Sequence, residues 1–489
     1  MIAPGTSHGP QTGGFRTDIP ARLDRLRWSR FHTLLVLALG TGWVIDGLEV
    51  TLVGSLAAVL TLPTTLNLTA AQVGESVAAY VLGAVIGALI FGALADRYGR
   101  RKLFFITLGV YALASIASGL VSSYWPFLLT RFLTGAGIGG EYAAINSAIQ
   151  EFMPARVRGR VDLAVNGSFW VGAAIGALGA TVVLDTAIFP EAWGWRVAFI
   201  IGGALALIVM AMRSFIPESP RWLMVNGRHD EAEAIVARIE QQAGIRDDTP
   251  TMPPLTLFPQ PPVGWWTMFA VLARRYPRRT VLGLTLMTAQ AFLYNAIFFT
   301  YALILTQYYD VDARSVGLFL LPFAAGNVLG PLLLGPLFDI WGRRIMITAT
   351  YGITGVLILI TGLLFVNRVL DATTQTIAWS IVFFFASAAA SSAYLTVSEV
   401  FPLEVRARAI AWFYAVATAL GGISGPLIFG HLIESGARIE VFWGYALGGA
   451  LMLIAAVVAW RLAVAAERRP LEAVAAPLSA LLAETSHRA

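Results

Sequence analysis

Ionisable side chains set inside apolar sequence are the first sign of chemistry in this chain. Asp46 and Glu49 lie three residues apart in WVIDGLEVTLVGSL, on neighbouring parts of one face if the run is helical. Arg131 opens the apolar stretch RFLTGAGIGGE, and Glu141 follows on the same stretch. A buried carboxyl beside an arginine is a proton switch. Burial favours the neutral acid, the guanidinium favours the carboxylate, and a change in their separation loads or releases a proton. One charge near the centre of a membrane helix costs roughly 2.5–3.5 kcal/mol on an insertion scale, so two retained acids imply a polar cavity, a partner or protonation. The plainer alternative, a permanent ion pair joining helices, stays open for Asp46, Glu49 and Glu141.

Those side chains need membrane helices to hold them. The chain is 57% hydrophobic and 13% charged, with a mean hydropathy of +0.71, which does not suit a soluble protein of 489 residues. It reads as an all-α integral membrane protein, since a helix pairs its own backbone groups within lipid. Apolar segments of roughly twenty residues begin near Phe31, Glu75, Lys102, Tyr124, Asp162 and Arg196, and again near Arg279, Ser315, Ile345, Gln375, Arg408 and Val441. The expectation is twelve transmembrane helices. Arginines fill every second connection, so the positive-inside rule puts both termini and the long middle loop in the cytoplasm.

The net charge of +5 alternates by loop and forms no nucleic-acid surface. Without cysteine there is no disulfide or thiolate site, and the five histidines show no metal-ligand pattern. Lys102 follows arginine, so no Walker lysine is present. No metal, no cofactor and no enzymatic activity are expected. The polar, Arg-bearing first thirty residues do not read as a cleavable signal. Lys102 is the only lysine among 34 basic residues, a bias of GC-rich bacterial genomes that points to an inner membrane.

The connections repeat. GALADRYGRRK, Gly92 to Lys102, returns as GPLFDIWGRRI, Gly335 to Ile345, so that Gly92, Asp96, Gly99, Arg100 and Arg101 match Gly335, Asp339, Gly342, Arg343 and Arg344. Likewise Glu151, Pro154, Arg158 and Arg160 match Glu399, Pro402, Arg406 and Arg408. Two motifs repeating in one order imply two homologous six-helix bundles around a midplane site. The boundaries expected are a tail over 1–30, a bundle over 31–216, a linker over 217–278, a second bundle over 279–463 and a tail over 464–489. Within the linker, Arg228 to Gln242 reads as a short amphipathic helix and Pro250 to Pro262 as an extended tether. Gly135 to Gly140 satisfies GxGxxG, but inside an apolar helix this reads as close packing, as do Gly83, Gly87 and Gly92, or Gly172, Gly176 and Gly179.

The Asp-centred repeat, RFLTGAGIGGE, PESPRWL from Pro217 and SEVFPLEVRARA from Ser398 together resemble the major facilitator superfamily over roughly residues 32–463. PESPRW and the E-x-F-P-x-x-x-R pattern are similar to its sugar porter branch and to relatives carrying organic ions and vitamins. The resemblance implies that Glu49 and Arg131 form the proton-coupling pair. Glu stands where sugar porters have Asp, and Asp46 completes a D-x-x-E run like that of metabolite carriers. It also implies cytoplasmic salt-bridge clusters of Asp96, Arg100, Glu151 and Arg158 in one half, and Asp339, Arg343, Glu399 and Arg406 in the other. These close in the outward-facing state and break in the inward-facing one.

AQAFLYNAIFF in the seventh segment is close to the sugar porter pattern, so Gln290 and Asn295 take amide positions that bind sugar hydroxyls there, and Asn327 takes another. Ala289 replaces one glutamine, Asn166 stands for a fifth-helix glutamine and Tyr394 for a tenth-helix tryptophan. Losing two such groups changes what binds, since an unpaired buried polar group costs on the order of 1–3 kcal/mol. The alternative is that these amides only bond neighbouring helices. The expectation is a monomeric proton-coupled importer of a small polar metabolite, with Glu49 the preferred proton carrier. Sugar or polyol leads narrowly over an organic or aromatic acid. Proton antiport, a channel and a nutrient sensor are the alternatives.

Overall fold

The computed structural model describes residues 15–56, 59–244, 255–257, 264–298, 300–311 and 316–478. In the amino half the long helices are Arg30–Leu56, Ala70–Tyr98, Arg100–Leu120, Tyr124–Phe152, Arg158–Gly167 running on through Phe169–Val183, and Glu191–Met212. In the carboxyl half they are Pro277–Phe298, Val316–Ile340, Arg343–Val366, Ala372–Glu399, Arg406–Ala417 continued by Ser424–Glu434, and Arg438–Leu462. Observed starts fall within a few residues of the expected ones; the start expected at Ser315 lies outside the described residues.

Among the described residues, eleven of these stretches are long and apolar enough to cross a membrane by length and composition alone. The twelfth, Tyr124–Phe152, spans 29 residues but carries Arg131, Glu141 and Glu151. It tolerates them because it packs inside the amino bundle, so those groups meet protein and not lipid.

Small residues permit that packing. A Cβ added at Gly135 would strike the carbonyl of Tyr80, and one at Gly139 the backbone of Ala84, so the fourth helix lies directly on the second. Gly172 and Gly176 abut Val44 and Leu48 in the same way, whereas Gly179 meets nothing. The GxGxxG run is therefore a helix–helix contact. Gly99 and Gly342, matched in the repeat, both sit at positive φ, 94° and 95°, where the chain turns between consecutive helices.

The two halves meet at the end that carries the repeated loops. There Pro331 of the eighth helix faces Gly167 of the fifth, and the Arg408 side chain donates to the Ala93 carbonyl of the second at 3.2 Å. Both chain ends and the linker gather at the same face. Arg22 and Arg25, from the helix Ile19–Arg25, bond Glu240 of the linker helix His229–Gln242 at 2.7–3.1 Å. The linker helix is amphipathic, burying Ala232, Val236 and Ile239. Of the expected Pro250–Pro262 tether only Leu255–Leu257 is described, paired antiparallel with Phe15–Thr17.

Candidate functional site

The fourth helix brings Arg131 against the first. Its Nη1 donates to Glu49 Oε1 at 2.8 Å, with both side chains 1% exposed. The guanidinium lies between the Tyr80 ring at 4.9 Å and the Phe199 ring at 5.1 Å, and Ser115 Oγ donates to Glu49 Oε2 at 3.4 Å. Glu141 makes a second buried pair, with Arg213 Nη2 at 2.5 Å, and Arg213 lies over the Phe104 ring. Asp46, between these pairs, is 1% exposed, and neither carboxylate oxygen has a hydrogen-bond partner among the described residues. The expected pair of Glu49 and Arg131 is thus brought together, and Glu141 joins helices.

Beside this charged cluster lies a layer of aromatic rings contributed by both halves. Trp43 stacks on Tyr142 at 4.6 Å and meets Tyr394 of the tenth helix edge-on at 5.9 Å. Tyr142 meets Tyr414 of the eleventh at 5.0 Å. Trp170 packs against Tyr294, Phe298 and Phe323 at 5.3–5.8 Å. The Trp43 Nε1 and Tyr80 hydroxyl have no partner among the described residues.

The expected amide ligands differ in availability. Asn327 is occupied, since its Oδ1 accepts from the Tyr294 hydroxyl at 2.6 Å and its Nδ2 donates to the Phe323 carbonyl at 2.9 Å. Asn166 donates to Asp162 Oδ2 at 3.1 Å and Asn146 Oδ1 at 3.3 Å. Asp162 also accepts from Gln150 at 3.0 Å, while Asn166 Oδ1 and Gln150 Oε1 have no hydrogen-bond partner among the described residues. Asn295 donates to the Ala291 carbonyl of its own helix at 2.7 Å, and Gln290 is buried on the same helix. Asn295 faces a distorted turn of the eleventh helix, Thr418–Gly422, where Gly422 approaches it.

At the loop end, Arg100 donates to Glu151 at 2.9 Å, and Arg343 forks onto Glu399 at 2.9 and 3.0 Å and onto Asp339 at 2.9 Å. The arginines that meet the two glutamates therefore come from the GRR loops. Arg406 donates to the Phe401 carbonyl at 3.2 Å, and Arg158 crosses to Asp24 at 3.1 Å, with Glu399 4.0 Å away. Asp339 bridges the halves by accepting from the amides of Gly159 and Arg160, the start of the fifth helix, at 3.2 and 2.9 Å. The Asp96 side chain lies outside the described residues.

PESPRWL completes the closure. Arg221 reaches Glu472 of the carboxyl tail at 2.9 Å, Asp24 of the amino tail at 3.5 Å and the Glu151 carbonyl. Glu218 accepts from the amides of Arg100 and Arg101 at the start of the third helix. Burial pushes the Asp24 and Glu218 carboxyls up; burial also pushes Glu472 up, but Arg221, its own backbone amide, Arg406 and Arg158 together outweigh it and hold that carboxyl below its ordinary value.

Arg213 and Asp162 escape a reading of motifs. Arg213 sits where the sixth helix ends, a place at which any loop arginine is expected. Asp162 sits one turn into the fifth helix, where the sequence alone marks it as a boundary residue. The signal available for both was a charge flanked closely by apolar residues.

The family of sugar (and other) transporters matches residues 49–476. The chain is 29% identical over 444 residues to a niacin transporter of Acinetobacter baylyi, covering 90% of this chain and 96% of that protein. It is 32% identical over 220 residues to an inner membrane metabolite transport protein of Escherichia coli, covering 45% and 48%. A proton:xylose symporter bound to 6-bromo-6-deoxy-D-glucose superposes with a TM-score of 0.74 at 18% identity, over 90% of this chain and 98% of that one.

Proposed function

The chain belongs to the family of sugar and other transporters, of the major facilitator superfamily, and from that premise we propose that it imports a small aromatic carboxylate, of the pyridine carboxylate type, together with a proton. A secondary transporter of this family binds a small molecule within the membrane and exposes it to the two sides in turn. The carrying observation is the aromatic layer: Trp43, Tyr142, Tyr394 and Tyr414 come from four helices of both halves and present flat faces and edges, with Trp43 Nε1 and the Tyr80 hydroxyl as unpartnered donors among the described residues. Planar rings stack on such surfaces, while a carboxylate needs the nearby donors. The full-length likeness to a niacin transporter supports the same substrate class.

The first-helix acids with Arg131 are the coupling site on this reading. Asp339, Arg343, Glu399, Arg100, Glu151, Arg158 and Arg406 hold the loop end shut in the present conformation. The arginine pattern supports a cytoplasmic position for that end, in a bacterial inner membrane, with the single chain as the working unit. Sugar or polyol is the second reading, favoured by the amides of Gln290 and Asn295 on the seventh helix and by the unpartnered Asn166 Oδ1.

The deciding experiment places the purified chain in vesicles with an inward proton gradient and offers labelled nicotinate, benzoate, xylose and myo-inositol. Saturable nicotinate uptake that alkalinises the outer medium is expected. Uptake of xylose or inositol, with nicotinate neither carried nor competing, would replace this reading by the second. Uptake only against an outward gradient would make the protein an exporter.

A further inference from the structure

We infer that Asp46, not Glu49, is the carboxyl that carries the transported proton, and that in the present conformation Asp46 is the protonated acid of the site. Its part in transport rests on the proton-coupled reading above; the location of the proton does not.

Around the first helix of the amino bundle, three buried acids, Asp46, Glu49 and Glu141, lie with two buried arginines, Arg131 and Arg213. Both arginines are committed, Arg131 to Glu49 at 2.8 Å and Arg213 to Glu141 at 2.5 Å. Asp46 is left over, 1% exposed, with no hydrogen bond to Oδ1 or Oδ2 among the described residues. An ionised carboxylate without ion pair or hydrogen bond in such surroundings is strongly disfavoured, and binding one proton makes the whole cluster neutral. Glu49 is placed differently. Its carboxylate is fixed by Arg131 and approached by Ser115, and the guanidinium is itself wedged between two rings. Taking the proton at Glu49 would leave Arg131 a buried, unpaired cation.

The charged and titratable groups acting on Asp46 come from each helix around it. They are Glu49 on its own helix, Tyr80 on the second, Tyr111 on the third, Glu141 and Tyr142 on the fourth, Arg213 after the sixth and Tyr414 on the eleventh. The fifth helix packs its backbone at Phe169 and Ala173 onto Gly47, the residue after Asp46. Arg213 is the only cation in this set, and it already holds Glu141. The proton arrives from water on the open side, forms an O–H bond at the Asp46 carboxylate, and leaves to water on the other side. No other group needs to change its charge.

The test is infrared spectroscopy of the full chain in vesicles, stepped in pH, comparing wild type, Asp46→Asn, Asp46→Glu and Glu49→Gln. A carbonyl band of a buried, protonated carboxyl is expected near neutral pH in the wild type. It should disappear in Asp46→Asn and move in Asp46→Glu, while in Glu49→Gln, which frees Arg131 and removes one acid from the cluster, it should survive only to lower pH. Asp162, which accepts from Gln150 and Asn166, is common to all four proteins, so differences between variants carry the result. Should Asp46→Asn fail to fold, the movement in Asp46→Glu decides. A band absent from the wild type, or retained unmoved in the Asp46 variants, would overturn the inference. In the same vesicles, Asp46→Asn is expected to exchange labelled nicotinate across the membrane and to lose its gradient-driven accumulation. If wild type does not carry nicotinate, the substrate reading fails while the infrared result still locates the proton.

Discussion

The fourth and tenth helices descend from one pattern and have diverged in opposite directions. Counted back equally from Glu151 and Glu399, Arg131 falls opposite Trp379, Glu141 opposite Ala389, and Asn146 opposite Tyr394. Arg131 and Trp379 are both about as buried as a side chain can be. The amino half has filled its copy with charge that must be answered by Glu49, Asp46 and Arg213. The carboxyl half has filled its copy with rings and small residues, and its amides Gln290, Asn295 and Asn327 lie on the seventh and eighth helices instead. A symmetric frame thus holds an asymmetric centre: charge on one side, ring and amide surface on the other.

The largest effect should follow from breaking the charged copy. Arg131→Met leaves Glu49 buried without its partner and is expected to cost about 3–5 kcal/mol of stability in detergent unfolding, with loss of gradient-driven uptake. Trp379→Phe, at the matching position, should cost about 0.5–3 kcal/mol and leave coupling intact. Equal loss of coupling in both variants would erase the distinction between the halves.

Next in size is Asp339→Asn, which weakens the charged bonds to the Gly159 and Arg160 amides and to Arg343, each worth about 1.5–3 kcal/mol. The loop end should open more readily, read as faster labelling of a cysteine placed at Arg160, with the coupling site unaltered. Unchanged labelling would show that Asp339 does not hold the halves together.

Smaller again is Tyr294→Phe, which frees Asn327 Oδ1. A neutral hydrogen bond of about 0.5–1.5 kcal/mol corresponds to at most about a tenfold change in the concentration for half-maximal uptake. Its pH dependence should match that of the wild type, because no titrating group of the amino half is touched.

The smallest effect concerns the tail. Glu472 is held below its ordinary value by Arg221, against the opposing push of burial, so its contribution is present above the unfolded value of about 4.3 and lost as pH falls through and below it. Less than about 1 kcal/mol is at stake. Hydrogen exchange over Leu471–Val474 should speed up on acidification in the wild type and be fast at all pH values in Glu472→Gln.

Much of this was legible in the sequence, for reasons that differ by residue. Helix positions follow from runs of apolar residues, and the duplication from the spacing of Asp, Gly and Arg in the loops. Glu49 and Arg131 could be paired because a charge at membrane depth needs an answer. The fourth helix was the harder segment: its polar residues face protein, so composition alone understates it as a span. Which arginine answers Glu151 or Glu399 depends on how the loops fold back, and spacing pointed equally to Arg158 and Arg406. The gathering of Asp24, Arg221 and Glu472 joins three distant segments that no local pattern relates.

The central claim is that the charged cluster of the amino half couples uptake to protons. Simultaneous recording of labelled nicotinate accumulation and internal acidification in vesicles tests it most directly, for wild type and Arg131→Met. The account predicts saturable accumulation and acidification that rise together in the wild type, both collapsing with a protonophore and both absent in Arg131→Met. Accumulation that survives collapse of the proton gradient, or that persists undiminished in Arg131→Met, would contradict it.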